Sequence, residues 1–307
     1  MKKVWVTGGH GFLGKYVCRL LEEREYEVLK PTHYEVDLMD GYVIRNYFLK
    51  NNPEAVIHLA GLCGGIGANS KYPGDFYYQN LMMGTQLIEK AKTFNIKKFV
   101  GVGTVCSYPK FTPVPFKEED LWNGYPEETN APYGLVKKMF LVQLQAYRQQ
   151  YRFTGIYLIP VNLYGPGDNF KPDSSHVIPA LIKKIQNSID EESPEIEVWG
   201  TGKASREFLY VEDCARGICD ALENYDRPEP MNLGTGKDIT IKALVELLID
   251  LMGYKGIVRW NTDKPDGQPA RRLDISRAEE NIAWKPEVDL KEGLQKTIEW
   301  WRKYGGE

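Results

Sequence analysis

Glycine occurs at every third position directly after the first apolar run of the chain. The run Lys3–Thr7 predicts a short strand, and Gly8-Gly9-His10-Gly11-Phe12-Leu13-Gly14 follows with the spacing Gly-x-x-Gly-x-x-Gly. Glycines permit a tight turn and let backbone amides approach a pyrophosphate at the N-terminus of the next helix. Because the loop stands between a strand and a helical pattern, we predict that all its residues bind a dinucleotide cofactor.

Strand and helix signals alternate over the first half of the chain. Apolar runs predict strands at 3–7, 26–30, 55–60, 98–102 and 155–160, and amphipathic runs predict helices at 12–23, 75–94 and 133–148. This alternation indicates an α/β fold with a Rossmann-like, doubly wound parallel sheet. After residue 160 the pattern loosens. We therefore predict a cofactor domain at 1–160 and a smaller, mainly substrate-binding domain at 161–307, with the segment 205–235 as a candidate to rejoin the first sheet.

Composition and charge exclude several classes of protein. The 307 residues carry a net charge of −3, which gives no basic surface for nucleic acid. No apolar run approaches the ~20 residues of a membrane span. Met1-Lys2-Lys3 leads directly into the first strand, so we expect a cytoplasmic protein without a signal peptide. The five scattered cysteines and four histidines predict neither a disulfide framework nor a metal site.

A tyrosine and a lysine four residues apart suggest the chemistry. Tyr133 and Lys137 share one face of the predicted helix, and a nearby ammonium lowers the pKa of a phenol. Thr104 follows the fourth strand, whose carboxyl end faces the ligand crevice of a parallel sheet. We predict that Thr104 orients a substrate oxygen against Tyr133. The alternative is an exposed helical pair of no catalytic significance.

The end of the second strand selects between NAD and NADP. An acidic residue there would hold a ribose 2′-hydroxyl. The stretch Leu29-Lys30-Pro31-Thr32-His33-Tyr34 has none, and its basic Lys30 and His33 favour the 2′-phosphate of NADP. Asp37 and Leu38 follow where an adenine contact is expected. Solvated surface charge is the alternative, and NAD stays open as the cofactor.

Cys106 and His176 are candidates for a base and an acid. Epimerisation next to a carbonyl requires such groups on opposite sides of a keto sugar. A free cysteine is more often a small buried apolar residue, and a loop histidine often serves only its own loop. The residues alone leave both interpretations open, a catalytic acid–base pair and two residues with only structural roles.

Longer segments resemble the extended short-chain dehydrogenase/reductases and, within them, the GDP-L-fucose synthase family. The matching stretches are Tyr72-Pro73-Gly74-Asp75-Phe76 with Asn80, Cys106-Ser107-Tyr108-Pro109-Lys110, Asn130-Ala131-Pro132-Tyr133, Asn162-Leu163-Tyr164-Gly165-Pro166, Asp168-Asn169-Phe170, Ser175-His176-Val177-Ile178-Pro179-Ala180-Leu181, Val198-Trp199-Gly200-Thr201-Gly202, Arg206-Glu207-Phe208 and Lys264-Pro265-Asp266-Gly267. The resemblance covers nearly the whole chain. It implies conversion of GDP-4-keto-6-deoxy-D-mannose to GDP-L-fucose with NADPH, in a homodimer whose paired helices include 75–94 and 133–148.

The resemblance also implies a role for each matching residue. Tyr133 would protonate the carbon 4 oxygen, Lys137 would hold the nicotinamide ribose, and Cys106 and His176 would invert carbons 3 and 5. The implied cofactor contacts beyond the glycine loop are Leu59, Ala60, Gly61, Pro160, Asn162, Leu163 and His176. The implied contacts to the GDP-sugar are Asn162, Lys184, Trp199, Arg206 and Asp266.

Two departures from the family pattern bear on specificity. His10 stands where the family has an arginine, which weakens the NADP assignment, and Thr104-Val105-Cys106-Ser107 replaces the commoner Ser-Ser-Cys-Ile. Three alternatives therefore stay open. They are a reductase of another GDP-4-keto-sugar such as a deoxy-heptose, a 4-epimerase that retains NAD, and a non-catalytic dinucleotide sensor.

Overall fold

The computed structural model describes residues 1–64, 66–171, 174–264 and 267–305. Their strands are β1 Lys3–Thr7, β2 Glu27–Leu29, β3 Ala55–His58, β4 Lys98–Val102, β5 Gly155–Pro160, β6 Asn162–Tyr164, β7 Glu195–Trp199, β8 Ser205–Tyr210, β9 Met231–Leu233, β10 Asp238–Thr240 and β11 Ile257–Asn261. Their helices are α1 Phe12–Glu23, α2 Gly41–Asn51, α3 Ile66–Lys71, α4 Pro73–Thr93, α5 Ala131–Tyr151, α6 Val177–Asp190, α7 Val211–Asn224, α8 Ile241–Met252, α9 Ser276–Ile282 and α10 Leu290–Tyr304. Short 3₁₀ turns cover Val105–Ser107 and Glu118–Trp122.

A six-stranded parallel sheet forms the centre of the molecule. Its strand order is β2-β1-β3-β4-β5-β9, and helices cover it on both faces. This confirms the prediction of a Rossmann-like α/β fold. The strand order reverses between β1 and β3, so the crevice for a ligand opens at the carboxyl ends of these strands.

Two further sheets lie in the second half of the chain. Strands β10, β8 and β6 form one, and β11 pairs in parallel with β7 in the other. Within the segment 205–235, β9 pairs with β5 in the large sheet, whereas β8 pairs with β6 and β10. A second apolar core, separate from that of the large sheet, fills the space between β6, β7, β8 and the helices α6, α8 and α10.

Several element boundaries differ from the predictions. Strands β2 and β3 are shorter than predicted at 26–30 and 55–60, because the chain turns away at their carboxyl ends to form the crevice. Helix α5 begins two residues before Tyr133, since Pro132 fits the first helical turn, where no backbone donor is needed. Helix α2 was not predicted, although the Asp40 side chain caps it by accepting hydrogen bonds from the amides of Tyr42 and Val43.

No helix in the described part of the chain is long and apolar enough to cross a bilayer. The cysteines are all free thiols, and Cys214 and Cys219 are buried in α7, which packs on α1. Within the described ranges no cluster of three or more His, Cys, Asp or Glu side chains is placed to hold a metal ion.

Candidate active site

The glycine loop folds tightly between β1 and α1. Gly8 has a φ of +70°, and a Cβ added to Gly14 would lie only 2.1 Å from the Gly8 oxygen. Gly11 caps α1 without a side-chain hydrogen bond, so the first amides of the helix stay available to an anion. The loop therefore has the close backbone approach that a pyrophosphate requires.

A cavity of about 380 Å³ lies beside this loop. It is lined by Trp5, Thr7, Gly8, His10, Gly11, Pro31, Thr32, His33, Tyr34, Val36, Asp37, Leu38, Ala60 and Met83. The predicted cofactor residues Gly8, His10, Gly11, His33, Asp37, Leu38 and Ala60 are among them, while Gly9, Phe12, Leu13 and Gly14 form the turn and first helical residues beside it. Its size and lining fit the adenosine half of a dinucleotide.

The basic residues near the cavity are partly engaged. Lys30 pairs with Glu22 at 2.6 Å, and its backbone oxygen lies 2.8 Å from Nε2 of His10. Lys30, one of the two basic side chains predicted to favour a 2′-phosphate, thus shares its charge with an exposed carboxylate. His33 stacks against Tyr34, with ring centroids 3.7 Å apart, and lines the cavity.

The loop after β3 continues the crevice towards helix α5. A Cβ added to Gly61 would lie 2.9 Å from Oδ1 of Asn80 and 3.6 Å from Nζ of Lys137. Asn80 is buried and fixes this loop, since it accepts from the amide of Leu62 and donates to the Leu62 oxygen. Leu59 begins the loop, with its amide donating to the Thr7 oxygen at 3.2 Å. The loop thus connects the adenosine cavity with the lysine.

The structure places Tyr133 and Lys137 on one face of α5, as predicted. Nζ of Lys137 lies 5.8 Å from the centre of the Tyr133 ring and donates to the Val102 oxygen at 3.2 Å. Burial lowers the pKa of Lys137 to about 8. Burial also raises the pKa of Tyr133 well above 10, and Cys63 and Cys106 add to that rise.

The predicted lowering of the Tyr133 pKa by Lys137 is therefore wrong for this structure. Loss of solvent around the phenol outweighs the ammonium, which is directed towards a backbone oxygen of β4. The consequence is a phenol that keeps its proton at neutral pH. Such a group is suited to donate a proton to an oxygen that becomes negative during reduction.

Thr104 and Cys106 stand directly against the start of α5. The Thr104 side chain caps the 3₁₀ turn by accepting from the Cys106 amide at 3.2 Å, which leaves its hydroxyl proton for another acceptor. A Cβ added to Gly134 would lie 2.4 Å from the Cys106 oxygen, and the Ser107 hydroxyl donates to the Gly134 oxygen at 2.8 Å. The absence of a side chain at Gly134 brings this turn beside Tyr133.

His176 lies near a buried carboxylate. It is exposed at the N-cap of α6 and lies near Asp168, whose pKa burial raises to about 6 while His176 acts in the opposite direction. Oδ2 of Asp168 is buried without a hydrogen-bond partner. Asp168 also contributes to the raised pKa of Cys63, which arises chiefly from burial.

Cys63 lies on the floor of the crevice. It is accessible to solvent, yet protein atoms surround its thiol and raise its pKa, while a hydrogen bond with Tyr133 and the charge of Lys137 oppose that rise. The sequence analysis assigned Cys63 no role. The spacing of Cys63 from the other site residues in the sequence does not indicate a role, because only the fold brings the loop after β3 against α5.

The predicted sugar-nucleotide residues occupy a more open region. Trp199, at the end of β7, is 62% exposed, and Nζ of Lys264 lies 5.2 Å above its ring. Nζ of Lys184 donates to the Glu197 oxygen of the same strand at 2.7 Å. Arg206 lies on β8, with Nη1 donating to the Ser205 oxygen at 2.7 Å.

The remaining predicted residues border the crevice or fall outside the described chain. The side-chain amide of Asn162 donates to the backbone oxygen of Glu207 at 3.0 Å and so joins β6 to β8. Pro160 ends β5 opposite Leu233, and Leu163 packs against the core of the large sheet. Asp266 lies outside the described residues.

The crevice combines a glycine loop, a half-buried tyrosine beside a buried lysine, and a threonine–cysteine turn, and the comparison with protein families agrees with this arrangement. The model of the NAD dependent epimerase/dehydratase family matches residues 4–234. The chain belongs to this family. It is an oxidoreductase/epimerase enzyme, and its fold and site have the arrangement described above.

Relatives match over almost the full length. The chain is 40% identical to a probable GDP-L-fucose synthase 1 of Oryza sativa subsp. japonica, over 97% of this chain and 92% of the relative. It is 36% identical to the GDP-L-fucose synthase of Escherichia coli, over 97% and 96% of the two chains. It is also 36% identical to a GDP-L-colitose synthase of Yersinia pseudotuberculosis, over 97% of each.

Solved structures share the whole fold. A GDP-6-OMe-4-keto-L-xylo-heptose reductase from C. jejuni superposes with a TM-score of 0.92 at 28% identity, over 98% of both chains. A GDP-mannoheptose C4 reductase from Campylobacter jejuni, solved with NADP bound, gives a TM-score of 0.89 at 28% identity, again over 98% of both. The common feature of these names is a GDP-sugar.

Proposed function

We propose that the chain converts GDP-4-keto-6-deoxy-D-mannose to GDP-L-fucose, by epimerisation at carbons 3 and 5 and reduction at carbon 4 with NADPH. The observation that carries the proposal is the joining of Thr104, Cys106 and Tyr133 at the end of β4, across the bare backbone of Gly134. The turn after β4 thus presents a hydroxyl and a thiol, and α5 presents a phenol, to the same crevice. The full-length similarity to GDP-L-fucose synthases supports the choice of sugar.

The residues present fit NADPH. Gly8 and Gly14 form a cradle for the pyrophosphate that a Cβ would fill. The cavity beside this cradle has room for the adenosine, and the loop at Gly61 lies between that cavity and Lys137. His33 and His10 are the side chains available to a 2′-phosphate. When bound, NADPH supplies the hydride that reduces carbon 4. Lys137 would hold the ribose of the nicotinamide through its ammonium, which donates to the Val102 oxygen.

Reduction requires a proton as well as a hydride. The Tyr133 phenol keeps its proton in the crevice and donates it to the carbon 4 oxygen as negative charge develops there. Thr104 donates its hydroxyl hydrogen to the same oxygen and holds it within reach. Both donors act at one atom, which orients the carbonyl for attack.

Epimerisation requires proton transfer on both faces of the sugar ring. The Cys106 thiolate removes a proton from carbon 3 or carbon 5, and the C–H electron pair moves into the carbon 4 carbonyl to give an enolate. His176 supplies a proton to the opposite face, and the same donors, Tyr133 and Thr104, hydrogen-bond the enolate oxygen. Asp168 lies near enough to His176 for the two groups to interact through charge.

A second candidate has a specific observation in its favour. The superposition with GDP-heptose reductases and the similarity to a GDP-L-colitose synthase support the reduction of a different GDP-4-keto-sugar on the same frame. Trp199 and the exposed lysines near it would then bind the same GDP, and only the sugar pocket would differ. The third alternative, a 4-epimerase that retains NAD, would consume no reduced cofactor.

The test is a stoichiometry measured with purified protein, NADPH and a panel of GDP-sugars. We expect one NADPH oxidised per GDP-L-fucose formed from GDP-4-keto-6-deoxymannose. Turnover only with a GDP-keto-heptose would support the second candidate. Product formed without NADPH consumption would contradict a reductase and leave the 4-epimerase.

We propose further that the protein is a cytoplasmic homodimer. Helices α4 and α5 pack against each other and leave Tyr77, Tyr78 and Val142 exposed, which suits pairing with the same helices of a second copy. The free thiols, Cys106 among them, suit a reducing compartment. Light scattering coupled to size exclusion should give twice the mass of the chain, which Tyr78→Glu should halve.

A further inference from the structure

A buried arginine faces the thiol of the candidate active site. Arg271 is only 7% exposed, and no carboxylate of the described residues forms an ion pair with it, whereas the adjacent Arg272 pairs with Asp238 at 3.2 Å. Taking a guanidinium out of water is costly unless an anion or several acceptors compensate it. The position of Arg271 therefore calls for a negative partner in the crevice.

The guanidinium is held in place by a short relay. Its Nε donates to Oε1 of Gln268 at 3.1 Å, and Nε2 of Gln268 donates to the oxygens of Pro109 at 3.4 Å and Lys110 at 2.9 Å. Gln268 is itself buried. Pro109 and Lys110 follow Cys106 closely in the chain, so the relay ties Arg271 to the segment that carries the thiol.

The free end of the guanidinium is directed at sulfur. Nη1 of Arg271 lies 3.6 Å from Sγ of Cys106, within hydrogen-bond reach of a sulfur acceptor. A thiol is a weak acceptor, while a thiolate next to an arginine gains both charge attraction and a charge-assisted hydrogen bond. The contact therefore favours Cys106 in its anionic form.

We propose that Arg271 is a positioning residue that holds Cys106 as a thiolate and so prepares it as the base of the epimerisation. The inference rests on the proposed function for the use of that base, but the ion pair itself does not. In the reaction, the thiolate takes a proton from carbon 3 or 5 and becomes a thiol, and the negative charge passes to the enolate oxygen. After His176 protonates the opposite face, the thiol returns its proton to solvent and the pair with Arg271 is restored.

The experiment measures iodoacetamide alkylation of Cys106 in the full chain, without substrate or cofactor, from pH 5.5 to 9. Peptide mass spectrometry separates the half-buried Cys106 from Cys63, which is exposed. We expect Arg271→Gln to slow alkylation at pH 7 about tenfold and to move the rate profile to higher pH, because the thiolate loses its cation. Arg271→Lys keeps the charge and should retain most of the rate, and Arg272→Gln is the matched control that should leave it unchanged.

A second variant tests the inference in case Arg271→Gln does not fold. Gln268→Ala keeps the guanidinium but releases it from its relay, and we expect a smaller fall in alkylation, with circular dichroism unchanged. An alkylation profile that is the same in wild type, Arg271→Gln and Gln268→Ala would overturn the inference. A rise in KM for the GDP-sugar without a change in alkylation would do the same and assign Arg271 to a phosphate of the substrate.

Different results would contradict the proposed function and the Arg271–Cys106 pair. Wild-type protein that turns over no GDP-4-keto-sugar, but shows the alkylation shift, would contradict the proposed function and leave the Arg271–Cys106 pair standing. Active epimerase with no shift would contradict only the pair.

Discussion

The catalytic end of the crevice and the open region around β7 are built in different ways. Around Tyr133, backbone segments approach closely at Gly61 and Gly134, and Lys137 is only 4% exposed. Around β7, Trp199 is 62% exposed, and its neighbour Lys264 contacts it through a cation–π interaction. The first region is rigid and enclosed, and the second presents side chains to solvent.

This difference shows which part of the function each region determines. Enclosed donors at fixed positions define a reaction, because proton transfer needs heavy atoms within hydrogen-bond distance. An exposed aromatic ring with a lysine beside it would, under the proposed function, bind a base that carries phosphates.

The largest effect is expected from Tyr133→Phe. It removes the proton donor and should lower the rate of NADPH oxidation by about a thousandfold, the usual contribution of general acid catalysis. Exchange of protons at carbons 3 and 5 should persist, because Cys106 and His176 are untouched. Steady-state rates and proton NMR measure the two activities. Tyr151→Phe on the same helix is the control, and undiminished reduction in Tyr133→Phe would remove Tyr133 from the mechanism.

Gly134→Ala tests the rigidity of the enclosed region. The new Cβ would lie 2.4 Å from the Cys106 oxygen, so the turn or the helix must move. We expect the free energy of unfolding to fall by about 2–3 kcal/mol, as for other overpacked sites, with loss of both activities. Gly74→Ala, where a Cβ meets nothing within 4 Å, is the matched control in urea denaturation. Equal stability of the two variants would show that the turn is not tightly held.

Asp168→Asn tests how a buried carboxylate between the two regions makes the free energy of unfolding depend on pH. The folded state raises the pKa of Asp168 from 3.8 to about 6, mainly by burial. Ionisation therefore disfavours folding increasingly as the pH rises from about 4 to 6, and fully above that range.

At pH 7.5 we expect Asp168→Asn to raise the free energy of unfolding by about 3 kcal/mol over wild type, as a rise of roughly two pKa units implies. At pH 4 the difference should vanish. Urea denaturation at both pH values measures it, and a difference that does not depend on pH would show that the carboxylate is not the cause. Epimerisation should slow in the same variant, since the partner of His176 is lost.

Trp199→Ala tests the open region and should have the smallest effect. Stacking of a base on an aromatic ring contributes about 1–3 kcal/mol, so we expect KM for the GDP-sugar to rise about tenfold or more with kcat nearly unchanged. Tyr42→Ala removes another exposed aromatic side chain, on α2, and should leave KM unchanged. A fall in kcat with constant KM would place Trp199 in the chemistry and remove the distinction between the two regions.

The sequence predicted much of the enclosed region. Strands β1, β4 and β5 and helix α1 have the predicted bounds, since period and turn residues define them locally. The positions of Tyr133 and Lys137 also followed from helical spacing. The pKa of Tyr133 did not, because it depends on how many protein atoms surround the phenol, and burial outweighs the lysine.

Other features depend on contacts between distant segments. Arg271 meets Cys106 across 165 positions of the chain, and Cys63, in the loop after β3, meets Tyr133 on α5 only because the fold brings the two segments together. Neither pair has a spacing that could be recognised in advance. Helix α2 was missed for a different reason, since its apolar periodicity is weak, although Asp40 gave a usable capping signal.

The most direct measurement is the turnover of GDP-4-keto-6-deoxymannose with NADPH in deuterated water, with the product examined by proton NMR. The account predicts NADPH consumption together with deuterium at carbons 3 and 5, because Cys106, His176 and Tyr133 act on one bound sugar. NADPH consumption with no deuterium at either carbon would contradict it, and Cys106 and His176 would then have no part in proton transfer.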